Sequence, residues 1–363
     1  MPPLTVATER SVSIAFVRSA VQALDASQRL AALARSGIEP DALSQPTARV
    51  SAGAFARLWM AVADLLDDEF FGLDARRMKV GSFAMLCHAL VPHATVGAAL
   101  RQAVRGFGLF FDDIAVSLRV AGGTAVLAIE HRTGAGRPGA ADPDARRFAE
   151  ETLLVMLLGL LCWLVGRRVP LMRLEWAHPA PAHADEYRRM FSPLQRFDAP
   201  VTAAYVDARV LDGAVSVTAA SLKAFLRDAP QSVFLKQVMV TGLSDRVRRQ
   251  CRDALDRDDP APTLAMLAQA CGLSPATLRR RLEGEGAAWG QLKDEVRCDL
   301  ALQLLAEGRL SVADIAARLG FNDASTFYRA FRKWTGSAPG AWRSAARSAA
   351  NPGLPTLDRL RRP

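Results

Sequence analysis

Cysteine is scarce in this sequence, and its few copies are not arranged in pairs. Only five of the 363 residues are cysteines, at Cys87, Cys162, Cys251, Cys271 and Cys298, and none belongs to a C-x-x-C pair. An odd number of scattered cysteines argues against a disulfide framework. We therefore expect reduced thiols that pack as small hydrophobic side chains, as is typical of cytoplasmic proteins.

Catalytic and metal-binding motifs are also missing. The sequence contains no G-x-G-x-x-G before a helix, no P-loop, no H-E-x-x-H and no G-x-S-x-G. Its histidines include two pairs, His88 with His93 and His178 with His183, whose members are five residues apart. That spacing does not place both rings on one face of a helix. We predict no enzyme, no metal site and no cofactor.

The sequence has no obvious membrane-spanning or secretory segment. The N-terminus lacks a basic stretch followed by an apolar one, which a secretory signal requires. The most apolar run, residues 153–165, is shorter than the roughly 20 residues that cross a bilayer. We expect a buried or interface helix there, a cytoplasmic protein and no membrane partner.

Acidic residues are outnumbered by basic ones. The formal net charge is +9, and residues 243–363 carry +6 of that excess. A basic protein favours an anionic partner such as nucleic acid, although charge alone does not identify it.

Residues 1–230 mix helices with scattered strands. Apolar spacing predicts helices over 11–36 and 51–66, and a helix after Thr95 as N-cap. Alternating residues around Gly122 and Gly123 predict a hairpin with strands at 114–120 and 124–130. An apolar helix over 144–165, strands in 171–178 and 201–207, and helices in 184–191 and 216–230 complete the prediction. Since strands and helices do not alternate regularly, we predict an α+β domain.

After residue 230 the pattern changes to helices only, and part of it occurs twice. We predict a linker over 231–243, an all-α domain over 244–347 and a mobile tail over 348–363. Gly272 lies 48 residues before Gly320, and a small alanine precedes each by four residues. A glycine permits the positive φ of a sharp turn between helices. The repeat therefore predicts two helix-turn-helix units.

The repeat also assigns directions to the arginines in "CGLSPATLRRRL". Ser274 is suited to be an N-cap, and Leu278 and Leu282 face the preceding helix. Arg279 and Arg280 then point outward, whereas Arg281 lies beside the buried stripe. In the second copy Asn322 or Asp323 is the expected cap, and the outer face is formed by Ala324, Ser325, Tyr328 and Arg329.

The last third of the chain resembles the DNA-binding domain of the AraC/XylS family of transcription regulators. The resemblance rests on "SPATLRRRLEGEG" and, above all, on "IAARLGFNDASTFYRAFRKWTGSAPGAWR". It implies that residues 289–307 form one long helix between the two units, and that the second helix of each unit enters a major groove of double-stranded promoter DNA. Arg279 stands where the family commonly has glutamine, so no known operator sequence can be transferred.

The resemblance assigns roles to individual residues at this interface. Carried over, the base-reading set is Ala276, Arg279, Arg280, Ala324, Ser325, Tyr328 and Arg329. Arginine can hold a guanine edge through two hydrogen bonds. Thr277, Arg332 and Lys333 are better placed for phosphates.

Residues 1–230 resemble the arabinose-binding-type effector and dimerisation domain of one branch of the same family. "DDEFFGLDARRMKVGSFAMLCHALVPHATVGAALRQAVRGFGLFF" carries part of this resemblance. The name does not imply that arabinose is the ligand. Candidate effector contacts are Arg101 with Arg105, one helical turn apart, and Trp176 with His178, although an exposed basic face and ordinary packing are the simpler interpretations.

Together these features predict a sequence-specific regulator, controlled by a small-molecule effector. The resemblance favours an activator, a homodimer and contact with RNA polymerase. Two alternatives stay open: a DNA-repair enzyme with the same DNA-binding module, which would need an activated cysteine, and an architectural DNA binder without effector. The operator, the regulated genes and the effector are not predicted.

Overall fold

The computed structural model describes residues 11–121, 123–132, 142–166, 169, 171–184, 187, 191, 195–227, 243–257, 259, 262–284, 288–335 and 337–350. The chain divides into two compact units, residues 1–239 and 240–363. Most of the predicted linker, and the predicted tail beyond residue 350, lie outside the described residues. The same holds for most of the short helix expected over 184–191.

The N-terminal unit begins with short elements. Strand β1 (Ser11–Ser13) pairs antiparallel with β2 (Arg49–Ser51). Three helices belong to the same stretch of chain: α1 (Ile14–Ala20), α2 (Ala26–Ser36) and α3 (Ala52–Leu66). The single helical segment predicted over 11–36 is wrong, because Asp25 interrupts it. Its carboxylate accepts a hydrogen bond from the backbone N–H of Gln28, and the side-chain oxygen of Gln28 accepts one from the backbone N–H of Asp25, so that a new helix, α2, begins here.

Of the next two helices, only the second was predicted from the sequence. Helix α4 (Ser82–Leu90) was not predicted. Helix α5 (Val96–Phe110) was, and Thr95 caps it as expected, because its hydroxyl accepts the N–H of Ala98 at 3.2 Å.

A five-stranded sheet forms the second layer of this unit. Its order is β3 (Ile114–Ala121), β4 (Thr124–His131), β7 (Thr202–Asp207), β5 (Arg173–Glu175) and β6 (Gln195–Arg196). Only β5 and β6 run parallel to each other. The predicted hairpin is confirmed, with each strand one residue longer than expected. Gly123 takes the left-handed φ of +79° that its turn requires.

Helix α6 (Pro143–Val165) is the centre of the apolar core. Asp142 caps it, Pro143 occupies its first position, and Gly166 ends it at φ +75°. With 23 residues it is long and apolar enough to cross a membrane. The expectation that the apolar run at 153–165 is too short for this is therefore wrong, because the helix extends beyond that run. However, 89% of its apolar window is buried inside the protein, which is expected of a core helix. The last described helix of this unit, α7, covers Ala219–Arg227.

Every described element of the C-terminal unit is helical, as predicted. These elements are α8 (Leu243–Asp256), α9 (Leu264–Ala270), α10 (Pro275–Gly284), α11 (Trp289–Glu307), α12 (Val312–Arg318), α13 (Ala324–Thr335) and α14 (Pro339–Ala350). The long joining helix α11 has the predicted bounds. Helix α14 extends three residues into the segment that was predicted to be a mobile tail.

Candidate nucleic-acid interface

The two turns of the C-terminal unit are built in the same way. Gly272 and Gly320 have φ of +67° and +73°. In the first turn Gly272 donates to Gln269 O at 3.0 Å, and Leu273 donates to Ala268 O at 2.9 Å. Equivalent bonds of 2.9 and 3.0 Å close the turn after α12. This is the Schellman pattern, which satisfies the last carbonyl groups of the first helix and redirects the chain.

Apolar side chains fix the second helix of each unit against the first. Leu278 and Leu282 of α10 are fully buried, and so are Phe327 and Phe331 of α13. Each pair is spaced i,i+4, so both members lie on one face of their helix. Arg279, Arg280, Tyr328 and Arg329, which lie between the members of these pairs, are exposed, as the repeat predicted.

The three arginines of α10 all lie at the surface. Arg279, Arg280 and Arg281 are each exposed, so burial does not separate Arg281 from its neighbours as the sequence had suggested. Arg279 and Arg280 follow the buried Leu278 directly and project from the outer face of the helix. Both side chains are accessible from outside the protein.

Helix α13 presents a different outer face. Ser325, Tyr328 and Arg329 are exposed, and Ala324 is half-buried at the start of the helix. Tyr328 stands out, since 41% of a large aromatic side chain is accessible. Ala276 on α10 is likewise exposed. The structure thus places the predicted base-reading residues on two helix faces, one in each unit.

The predicted phosphate contacts lie near the ends of the same helices. Arg332 and Lys333 are exposed in the last turns of α13. Thr277 is half-buried and its hydroxyl lies 2.8 Å from that of Ser274, whose oxygen accepts the Thr277 N–H at 3.1 Å. Ser274 therefore caps α10 as predicted, and the N-terminus of this helix carries no charged side chain of its own. Such an end attracts phosphate oxygens.

Arginine side chains connect the joining helix α11 to helix α8 and to the turn that follows α12. Arg248 of α8 donates to Glu295 of α11 at 3.1 Å. Arg297 of α11 donates to Gly320 O at 3.3 Å, and its guanidinium lies 4.8 Å from the centre of the Phe321 ring. Burial lowers the pKa of Arg297. The turn of the second unit is thus anchored to α11.

Comparison with known proteins gives the same picture over most of the chain. Residues 28–215 match the family described as the arabinose-binding domain of AraC transcription regulators, and residues 267–345 match a helix-turn-helix domain family. The chain is 30% identical to the ornithine utilization regulator of Pseudomonas aeruginosa over 85% of its own length and 88% of the relative's. The chain belongs to the AraC family of transcription regulators.

Other transcription regulators also match this chain, over shorter stretches or at lower identity. The transcriptional activator CfaD of Escherichia coli is 32% identical over 30% of the present chain and 39% of its own. The crystal structure of the regulator CdpR from Pseudomonas aeruginosa covers 88% of this chain and 97% of that chain, with 23% identity and a TM-score of 0.32.

In the N-terminal unit of the regulator, the predicted effector contacts fall in two places. Arg101 and Arg105 are exposed on α5, and Arg105 donates to Gln102 at 3.2 Å. Trp176 is fully buried, and His178 lies 5.1 Å from it, measured between ring centres. Burial lowers the pKa of His178, which favours a neutral imidazole. Within the described residues, no hydrogen bond or ring contact joins the arginine pair to Trp176 and His178.

A buried polar cluster in this unit was missed by the sequence analysis. Glu150 and Glu151 of α6 are each 4% exposed. The Glu150 carboxylate accepts a hydrogen bond from the Thr202 hydroxyl and lies 3.3 Å from Nε2 of His131. The Glu151 carboxylate accepts a hydrogen bond from the Tyr187 hydroxyl. Burial raises the pKa of Glu151 to about 8. Two consecutive glutamates just before the apolar run of this helix were the signal that could have revealed it.

Tyr187 connects this cluster to the predicted Trp176. Its ring lies 4.8 Å from that of Trp176 and 6.0 Å from that of His178. The indole N–H of Trp176 donates to Gln195 at 2.9 Å. Trp176 and His178 therefore lie beside buried ionisable groups, which the linear sequence did not indicate.

Proposed function

We propose that this regulator recognises its operators through the outer faces of α10 and α13, with Arg279, Arg280, Tyr328 and Arg329 as the principal base contacts. The observation that carries the proposal is the pair of identically built turns, each followed by a helix that buries two side chains and exposes arginine. A bidentate arginine contact discriminates a guanine by about 1–3 kcal/mol.

The exposed basic side chains of both helices support phosphate binding as well as base reading. Helix α10 has three exposed arginines near a neutral cap, while α13 has Arg329, Arg332 and Lys333 after an acidic cap, Asp323. Salt-sensitive phosphate binding and base discrimination are therefore expected from both units.

We further propose an activator that functions as a cytoplasmic homodimer, contacts RNA polymerase and is switched by a small molecule bound in the N-terminal unit. The support is family membership and the match of residues 28–215 to the arabinose-binding domain family. An amino acid or a related metabolite is the first effector class to examine, because the relative that matches most of the chain is named for ornithine utilization. Coupling of 1–3 kcal/mol between the effector and DNA sites would be typical.

A DNA-repair enzyme is less well supported by the cysteines of this chain. A nucleophilic thiol needs a lowered pKa. Burial instead raises the pKa of Cys251 to about 11, and it raises that of Cys87 as well. Cys298 is also buried. An architectural DNA binder, in turn, would not need the family's effector-type domain.

The test is selective DNA binding by the full-length chain. A duplex enriched from a randomised library serves as target, and Arg280→Ala is compared with wild type by gel shift. We expect the variant to lose selectivity, by about tenfold or more, while its circular dichroism spectrum and melting temperature stay unchanged. Unchanged selectivity would show that α10 does not read bases through Arg280.

A thermal-shift screen of metabolites on the full-length chain tests the effector proposal. A dose-dependent rise in melting temperature with one chemical class is expected, because a ligand that binds the folded state stabilises it. Absence of any response across amino acids, fatty acids and sugars would argue for control by a protein partner or by abundance.

A further inference from the structure

The second reading helix begins with three side chains that are linked in series. Asp323 caps α13 by accepting the N–H of Thr326 at 2.7 Å. The Thr326 hydroxyl donates to the other carboxylate oxygen of Asp323 at 2.8 Å. The same hydroxyl oxygen accepts a bond from Nη2 of Arg329 at 3.3 Å. A hydroxyl has one proton and two lone pairs, so it can make both bonds at once.

The carboxylate at the start of this series also acts on Arg329 through its charge. The pKa of Asp323 is held below its ordinary value by the backbone and side-chain hydrogen bonds from Thr326, with a smaller contribution from Arg329. Asp323 is thus ionised at neutral pH, and its attraction favours the conformation in which Arg329 points back along the helix towards Thr326.

The first unit provides a natural comparison, because it lacks this series. Ser274, Thr277 and Arg280 occupy the same cap, third and sixth positions of α10. The cap is a neutral hydroxyl that contacts the Thr277 hydroxyl at 2.8 Å. Across the residues that the structure describes, no side chain of α10 forms a hydrogen bond with Arg280. The two reading arginines therefore differ in how strongly their own helix restrains them.

We infer that Asp323 and Thr326 are positioning residues that hold Arg329 in the conformation in which it reads a base pair. An arginine that is already ordered loses less side-chain freedom on binding, and its planar fork is sensitive to direction. The exposed carboxylate at the helix N-terminus also opposes phosphate, which weakens binding to DNA of any sequence. The second helix-turn-helix is accordingly more selective for base sequence, and the first tolerates more sequence variation. This inference depends on the proposed role of α13 in reading DNA.

The experiment is a binding selection from a randomised duplex library with the full-length chain. Arg329→Ala first identifies the base position that Arg329 reads, as the one position whose preference falls by about tenfold. Thr326→Val removes the linking hydroxyl but keeps the shape of the side chain, and Thr277→Val is the matched control in the first unit. We expect Thr326→Val to reduce the preference at the Arg329 position by roughly threefold. Thr277 is itself a proposed phosphate contact, so we expect Thr277→Val to weaken binding to all duplexes alike without changing the preference at the Arg329 position.

A second variant separates positioning from helix capping. Asp323→Ser copies the cap of the first unit and retains a good N-cap residue. We expect it to relax the same base position while raising affinity for a scrambled duplex at low salt, with no change in melting temperature. If Asp323 only caps the helix, this variant keeps the wild-type base preference, and loss of the carboxylate raises only the affinity for DNA of any sequence.

The outcomes are distinguishable. An enriched motif whose Arg329 position is equally sharp in wild type, Thr326→Val and Asp323→Ser would overturn the positioning role alone. A uniform loss of affinity at every position would also overturn it, since that result indicates capping only. If wild type enriches no motif, or if Arg329→Ala changes no position of an enriched motif, the proposed reading by α13 itself is wrong.

Discussion

The buried carboxylate of Glu151 should make the stability of the N-terminal unit depend on pH. Burial raises its pKa from 4.5 to about 8, against the lowering effects of the Tyr187 hydrogen bond and of Arg147; nearby Glu150 and Asp144 raise it further. Because the folded state holds this proton more tightly than the unfolded chain, unfolding releases it between these two pH values. The free energy of unfolding should therefore fall as pH rises from about 5 to 8.

The size of this effect follows from the same pKa difference. One proton released on unfolding changes the free energy by at most about 1.4 kcal/mol per pH unit. Glu151→Gln removes the titration but keeps a neutral side chain of the same shape, which can still bond to Tyr187. We expect the variant to match wild type near pH 5 and to exceed it by up to about 3 kcal/mol at pH 7.

The assay is urea unfolding of the full-length chain at half-unit steps between pH 5 and 8. The fluorescence of the fully buried Trp176, whose ring lies 4.8 Å from that of Tyr187, reports on this region when the other tryptophans are replaced by phenylalanine in both proteins. Lys79→Gln is a surface control, since its ion pair with Asp67 is exposed. If the free energy of unfolding depends on pH in the same way in wild type and in Glu151→Gln, then Glu151 does not titrate on unfolding between pH 5 and 8.

Two further predictions concern the DNA-binding unit. Gly272→Ala should lower its stability by about 1–2 kcal/mol in urea unfolding, because the φ of +67° is unfavourable for alanine even though no atom lies within 4 Å of the added methyl group. The control, Gly290→Ala, has the same free space but lies in a helix, so it should be neutral or slightly stabilising. Equal effects of the two changes would show that the positive φ at Gly272 does not matter for stability. Arg332→Ala should reduce the slope of log affinity against log salt concentration by about 1 and weaken all sequences alike, and a change in base preference measured by library selection would instead make Arg332 a base contact.

The repeat around Gly272 and Gly320 made the C-terminal unit predictable. Both the turn conformation and the inward direction of Leu278, Leu282, Phe327 and Phe331 depend on contacts within about 20 residues, so local patterns determine them. The caps Thr95 and Ser274 were predictable for the same reason. The break at Asp25 was missed, because periodicity continued through it while one capping box decided where α2 begins.

Sequence alone thus determined the class of each unit, the hairpin, the two turns and the outward faces of α10 and α13, since these follow from residue spacing and backbone preference. Only the tertiary structure showed that α6 is surrounded by protein despite its membrane-like composition, and that Glu150 and Glu151 meet His131, Thr202 and Tyr187. Those groups come from segments that are far apart in the chain. Their proximity, and hence the raised pKa of Glu151, depends on packing that no local pattern records.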